Sequence, residues 1–257
     1  MDFFKTPSFY NNEEYFKRYL GQTSYYTALQ NTIEKIISLT APHTVLEMGA
    51  ALGTTTLLMA NKFPNIQFIG TDIREDIVSK ALDLSKNVDN ASFFTADMCE
   101  LAKEDLSSYD LIYLLYSFHH ILDPLNNKKT FLQNCYSNMK KGSFLLIAET
   151  FLPDGIPQLA KHASIQDLFK LRAEEGYAST FWTALENIND QDIKLAKQIA
   201  NFSKSEESIA GENVYNRIDE YLVDFSWLIE TALQCGFNVV ISEPVNALME
   251  KAILLKR

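Results

Sequence analysis

The stretch that decides the fold runs from Val45 to Thr56 and reads VLEMGAALGTTT. It opens as a strand that is apolar except for Glu47, bends through Gly49, Ala50, Ala51, Leu52 and Gly53, and enters a helical pattern through three threonines. Small residues in the bend let the backbone come close to a ligand. A dinucleotide site would carry three glycines there, spaced G-x-G-x-x-G, and has no use for an acid two residues before the turn. The acid is what must be explained.

Outward from this turn the pattern alternates. Runs rich in β-branched and aromatic residues read as strands: HTVLEM, IQFIGTDI, ASFFTAD, YDLIYLLYS, SFLLIAE, FNVVISE and KAILLK. Between the first five lie segments with helical spacing, such as Leu57, Leu58, Ala60 and Phe63, or Ile77, Val78, Ala81, Leu82 and Leu84. Such alternation predicts βαβ units and a parallel sheet covered on both faces. PVNALME is too short for a helical crossover, so the last two strands should form an antiparallel hairpin at one edge. The expected fold is α/β: a seven-stranded, mostly parallel sheet with a C-terminal antiparallel hairpin and a helical cap.

We read residues 1–257 as one domain. Residues 1–40 form an N-terminal helical cap segment, 41–154 a ligand-binding core, 155–222 a helical cap insertion, and 223–257 the last helix and hairpin. A segment as long as 155–222 is seldom a bare loop. Both cap segments belong at the C-terminal ends of the strands, where open α/β sheets bind ligands.

Composition narrows the function. The 257 residues are 47% hydrophobic, enough for a sizeable core, yet contain no run of about 18 uncharged apolar residues that could span a membrane. MDFFKTPSFYNNEEYFKRYL lacks a basic segment followed by an apolar one, so no secretory signal is expected. Cys99, Cys135 and Cys235 are scattered and odd in number, which reads as reduced thiols in a cytoplasmic protein. A net charge of −10 without a basic cluster argues against nucleic acid as substrate. Residues 158–230 are acidic too, with 7 basic and 13 acidic side chains. That composition favours an enclosed small-molecule site over a nucleic-acid funnel.

Glu47, Gly49, Ala51 and Gly53 after the first strand, Asp72 ending the second, Asp97 ending the third and Asp110 opening the fourth follow one another in register. Together they resemble the motif series of the class I S-adenosylmethionine-dependent methyltransferases, over roughly residues 44–150 and in outline over the terminal hairpin. The resemblance implies a Rossmann-like methyltransferase fold with S-adenosyl-L-methionine as cofactor and S-adenosyl-L-homocysteine as its product. It also explains the acid: the donor is a sulfonium cation with an ammonium group and no phosphate. It implies that Glu47 braces the turn and faces that ammonium, directly or through water. Gly49 would bring its backbone against the methionine portion. Asp72 would accept from the ribose hydroxyls, with Ile73 against the adenine. Asp97 would accept from the adenine amine, Met98 would offer an amide and a soft apolar face, and Leu115 to Ser117, Tyr116 among them, would flank the methionine end. Ala51 departs from the usual glycine, as it does in some small-molecule O-methyltransferases. Arg18 and Tyr25 could reach the donor carboxylate. Alone, Asp72 and Asp97 read better as helix caps, Asp72 for the helix beginning near Arg74 and Asp97 for a helix over MCELAKE; their joint register with Glu47 and Gly49 favours ligand contact. Asp110 reads as structural.

Catalytic candidates are His120, His119 and Glu149. Adjacent histidines point in different directions and cannot both face the reacting atoms, and no further ligands at suitable spacing suggest a metal. His162, Tyr177, Trp182 and Phe151 are acceptor-binding candidates, lying after the fifth strand where the transferred methyl must be closed off. The function expected is methylation of a small organic acceptor at oxygen, nitrogen or carbon. A nicotinamide-dependent oxidoreductase is the enzyme alternative, since Gly49 and Asp72 are spaced close to the roughly 20 residues of a dinucleotide fingerprint. A donor-binding protein on the same fold that transfers nothing is the other. The sequence leaves the oligomeric state open.

Overall fold

The structure is a computed structural model that describes residues 24–121, 126–151, 223, 225–245 and 250–257. Of the segments read as caps, residues 1–23 of 1–40 and all of 155–222 lie outside them, so that part of the domain division stays a proposal. Helix α1 (Ser24–Thr40) turns Leu29, Ile33, Ile36 and Ile37 to the core at helical spacing. It stops at Ala41, which has a positive φ of 43° and precedes Pro42. Then follow β1 (Thr44–Met48), α2 (Thr54–Lys62), β2 (Gln67–Asp72), α3 (Glu75–Leu84), β3 (Ala91–Thr95), the single turn α4 (Met98–Leu101) and β4 (Leu111–Leu115). A 3-10 turn (Phe118–His120), α5 (Asn126–Asn138), β5 (Phe144–Thr150), α6 (Phe225–Cys235), β6 (Asn238–Pro244) and β7 (Glu250–Lys256) complete the order.

The seven strands form one sheet in the order β3-β2-β1-β4-β5-β7-β6. The first five strands are parallel; β7 runs antiparallel to both β5 and β6. The last strand therefore lies inside the hairpin and the sixth forms the edge. This matches the side chains: Ala252–Leu255 of β7 are all buried, whereas Val240, beside a register shift in β6, is 49% exposed.

Alternation along the strands sends neighbouring residues to opposite faces. On one face Leu46, Met48, Ile112 and Leu114 pack with Phe131 and Leu132 of α5 and Leu228 and Ala232 of α6. On the other, Val45, Leu111 and Tyr113 pack with Leu29, Ile33 and Ile37 of α1 and Met59 and Ala60 of α2. Glu47 shares this second face with Tyr113, its register partner across the β1–β4 pair.

Asp110 is structural, as the sequence suggests. Its Oδ2 accepts from the amides of His43 at 2.9 Å and Thr44 at 3.3 Å, and Lys140 Nζ donates to Oδ1 at 2.8 Å. Two boundaries differ from the sequence reading. Strand β3 ends at Thr95, so Asp97 stands beyond it as the cap of α4, accepting from Cys99 N at 2.7 Å. The helical reading of MCELAKE shortens to one turn because Leu106 is drawn to the end of α5, its amide bonded to Asn138 O at 3.1 Å and the residue paired with Met139. Among the described residues, no helix is long and apolar enough to cross a membrane.

Candidate active site

The chain adds β2 and β3 on one side of β1 and β4 and β5 on the other, so the crevice lies at the C-terminal ends of β1 and β4. The turn after β1 fills it with backbone. Gly49, Ala51 and Gly53 all have positive φ, at 82°, 48° and 73°. The amides of Gly49 and Ala50 both donate to Thr71 O, at 2.8 and 2.7 Å, which fastens the turn to β2. A Cβ on Gly49 would lie 2.4 Å from Ser117 Cβ, and one on Gly53 would lie 2.4 Å from the Phe93 ring. Only glycine fits either place. Ala51 has room, but holds a left-handed conformation costing about 1–2 kcal/mol for an L-residue.

Glu47 points into this turn from below and is 3% exposed. Its Oε2 accepts from the Thr56 hydroxyl and from the Tyr113 hydroxyl, the latter at 2.7 Å. Burial raises its pKa to about 7, against the pull of these hydroxyls and the Thr56 amide and with a further push from Asp72. Asp72, at the end of β2, takes the Ala51 amide on Oδ2 and the Arg74 amide on Oδ1, each at 3.0 Å. Burial pushes its pKa up, while the two amides and the Arg74 charge pull it back. Each carboxylate oxygen keeps a second acceptor site. Ile73 beside it is 47% exposed, and Arg74 turns aside to pair with Asp76 at 2.7 Å.

Across the crevice, Met98 Cε lies 3.6 Å from where a Gly49 Cβ would sit. Tyr116 leaves β4 with a φ of 49°, its amide bonded to Ala148 O at 3.1 Å, and Ser117 Oγ donates to Met48 O at 2.7 Å. In the 3-10 turn beyond, His119 meets β5. Its Nδ1 lies 2.9 Å from Glu149 Oε2, and its amide donates to the same oxygen at 3.2 Å. Glu149 is 2% exposed. The His120 ring lies 4.0 Å from that of His119, centroid to centroid.

The structure thus brings Glu47, Gly49, Ala51, Gly53, Asp72, Ile73, Met98 and Tyr116 around one turn, and pairs His119 with Glu149 nearby. Asp97 caps α4 at the crevice rim. Phe151 is buried in the core, edge-on to Phe225 with 4.8 Å between centroids. Arg18, His162, Tyr177 and Trp182 lie outside the described residues, as does the side chain of Tyr25. Thr56 and Tyr113 escaped the sequence reading. The available signal was a hydroxyl midway along the apolar fourth strand, LIYLL, opposite the one acid of the first. Burial pushes the Cys99 thiol up to about 11, and Cys135 is pushed up as well, so neither supplies a thiolate nucleophile. Among the described residues no group of three or more His, Cys, Asp or Glu could hold a metal ion.

Comparison with known proteins agrees with this geometry. Residues 46–145, from the first strand through the His119 turn to the start of β5, match the family model described as a methyltransferase domain. No curated protein sequence matches the chain. Among solved structures, the CurJ carbon methyltransferase is 15% identical with a TM-score of 0.60, covering 96% of this chain and 58% of its own. Mitomycin 7-O-methyltransferase MmcR is 14% identical with a TM-score of 0.60, over 100% of this chain and 59% of that one. Human N-acetylserotonin methyltransferase, solved with S-adenosylmethionine, is 14% identical with a TM-score of 0.52, over 95% and 59%. The chain spans just under three fifths of the length of these three structures. Residues 46–145 are thus similar to a methyltransferase domain, and the chain shares the fold of these methyltransferases.

Proposed function

We propose that the protein transfers a methyl group from S-adenosyl-L-methionine to a small organic acceptor. The observation that carries this reading is the buried Glu47 carboxylate beneath a turn only glycine can make, with Asp72 at its edge. Such a crevice offers close backbone approach and negative charge. It suits a cationic nucleoside without phosphate and repels a pyrophosphate, which counts against a nicotinamide-dependent oxidoreductase.

The residues fit the donor. Gly49 gives the methionine portion access to backbone, Glu47 offers a counter-charge to its ammonium, Asp72 holds acceptor sites for the ribose hydroxyls, and exposed Ile73 presents an apolar face to the adenine. Asp97 and Met98 would close the adenine end. The donor supplies a methyl carbon already activated by the sulfonium, so the protein has mainly to align the partners and exclude water.

His119 supports acceptors that arrive protonated. If Nδ1–H donates to Glu149, Nε2 becomes the basic nitrogen and Glu149 stabilises the imidazolium formed on proton uptake. Oxygen or nitrogen acceptors are then preferred to carbon, with His120 a neighbour of the base. The acceptor pocket falls to residues 155–222, with His162, Tyr177 and Trp182 its proposed contacts, Phe151 at its base, and Arg18 and Tyr25 closing the donor's carboxylate end. The acidic balance of the chain supports a small acceptor over nucleic acid, and its scattered cysteines fit a cytoplasmic location.

Calorimetric titration with S-adenosylmethionine, S-adenosylhomocysteine, NAD and NADP tests the reading. We expect binding of the first two only. Asp72→Ala should weaken that binding at least tenfold, since hydrogen bonds to a charged group are worth about 1.5–3 kcal/mol each. Nicotinamide binding with no response to the sulfur ligands would overturn it.

A further inference from the structure

We propose that Tyr113 and Thr56 are positioning residues for the donor, acting by holding Glu47 ready to ionise, so that donor binding expels a proton from this chain. The inference rests on the methyltransferase reading above and assigns roles to two hydroxyls that contact Glu47 rather than the donor.

The geometry is specific. Glu47 and Tyr113 are register partners on adjacent strands, on the same face of the sheet. The Tyr113 hydroxyl reaches Glu47 Oε2 at 2.7 Å, and the Thr56 hydroxyl reaches the same oxygen from the first turn of α2. Both side chains are buried, Tyr113 at 0% and Thr56 at 1% exposed. A hydroxyl that donates to a carboxylate favours its charged form. From β2 the charge acting on Glu47 is Asp72, a like charge. Thr55 of α2 is neutral and is engaged by Gln30 of α1, whose Nε2 donates to its hydroxyl at 3.2 Å. Two hydroxyls and an amide therefore face a buried acid that burial holds near neutrality in its titration. A cation arriving above the turn completes the counter-charge and tips the acid to its ionised form.

The sign follows. Below about pH 7 the empty site holds Glu47 largely protonated, so a cationic ligand must displace a proton to bind. Apparent affinity then rises with pH, by at most about tenfold per unit, and levels off once Glu47 is ionised beforehand. The ligand's own amino group, with an ordinary pKa of about 8, releases its proton above that and sets the opposite limb. Removing the Tyr113 hydroxyl takes away one support of the charged form and moves only the acid limb, toward higher pH.

The test is titration of the full chain with S-adenosylhomocysteine from pH 5.5 to 8.5, in buffers of different ionisation enthalpy so that proton release is counted. For the natural protein we expect affinity to climb through neutrality, with up to one proton released per ligand at pH 6. Tyr113→Phe should lose several-fold in affinity at pH 6.5 and less than about twofold at pH 8. Thr56→Val should behave likewise, and Thr56→Ser should restore the natural profile. Flat affinity from pH 5.5 to 7.5, or an equal loss at every pH in Tyr113→Phe, would overturn the proposal while leaving the donor site standing. Absence of S-adenosylhomocysteine binding at every pH would overturn the methyltransferase reading, and this inference with it.

Discussion

Glu47 is a residue whose usefulness to a ligand and whose effect on stability oppose each other. In the unfolded chain its carboxyl titrates near the ordinary 4.5; in the fold, burial raises it to about 7. Between those values the folded state keeps a proton that the unfolded state has lost, so stability falls as pH rises through this window and stays reduced above it. The reduction is on the order of 3 kcal/mol at alkaline pH, from about 1.36 kcal/mol per pKa unit. Glu47→Gln is neutral at every pH, and any packing cost of the amide appears equally in acid and base. We expect the difference in melting temperature between variant and natural protein to shift in the variant's favour from pH 5 to pH 8.5, by several degrees, while donor affinity collapses. Thermal melts at the two pH values measure it; a difference that does not change with pH would mean that Glu47 is ionised throughout. Glu47, Gly49 and Asp72 could be read from the sequence because an acid, a glycine and a second acid at strand ends are conspicuous against apolar runs. Tyr113 could not, because inside LIYLL an aromatic is what a buried strand already calls for, and its hydroxyl acquires meaning only through the β1–β4 register.

Among the elements, the edge strand β3 has a single buried residue, Phe93. Its ring occupies the space that a Cβ on either Gly53 or Gly70 would enter, each at 2.4 Å. It also packs with Ala50, Val78 and Ala81, so an edge strand braces the donor turn from behind. Phe93→Ala should cost about 3–5 kcal/mol by opening a cavity there, and should weaken S-adenosylhomocysteine binding by freeing Gly53. Urea denaturation paired with ligand titration would show both; a cost under about 1 kcal/mol would mean that the glycines collapse into the gap without consequence. The parallel strands were legible because central strands must be continuously apolar and TVLEM, LIYLL and FLLIAET are nearly so. Helical content between β3 and β4 was less so. Periodicity runs on through Ala102 and Lys103, but the pairing of Leu106 with Met139 takes the chain out of the helix after one turn. That contact is non-local and leaves no local trace.

At the scale of the whole molecule, the proposed donor and acceptor functions divide along the chain. Apart from Arg18 and Tyr25, the residues proposed for the donor lie between Glu47 and Tyr116, and the paired His119 and Glu149 follow β4 on the far side. Phe151 and Val223 flank residues 152–222, and the Phe151 and Phe225 rings lie edge-on with 4.8 Å between centroids. The two ends of the intervening segment are thus already together in the core, with Val223 6% exposed beside them. Closing them with a short linker costs little, since loop entropy changes by only about 0.6 kcal/mol per doubling of length. We therefore expect replacement of residues 155–222 by six Gly/Ser residues, which can span roughly 20 Å, to leave a cooperatively melting domain. That domain should bind S-adenosylhomocysteine within about tenfold of the natural affinity, a change of about 1.4 kcal/mol. Methyl transfer should be lost, because the acceptor contacts and the exclusion of water go with the segment. His162→Ala, Tyr177→Ala and Trp182→Ala in the full chain should reproduce the loss of turnover with donor affinity retained. Turnover is followed as S-adenosylhomocysteine release, against an acceptor found by screening small phenols, amines and activated methylene compounds. A shortened chain that fails to melt cooperatively would make 155–222 part of the core. One that still methylates would put the acceptor pocket on the sheet itself, beside His119.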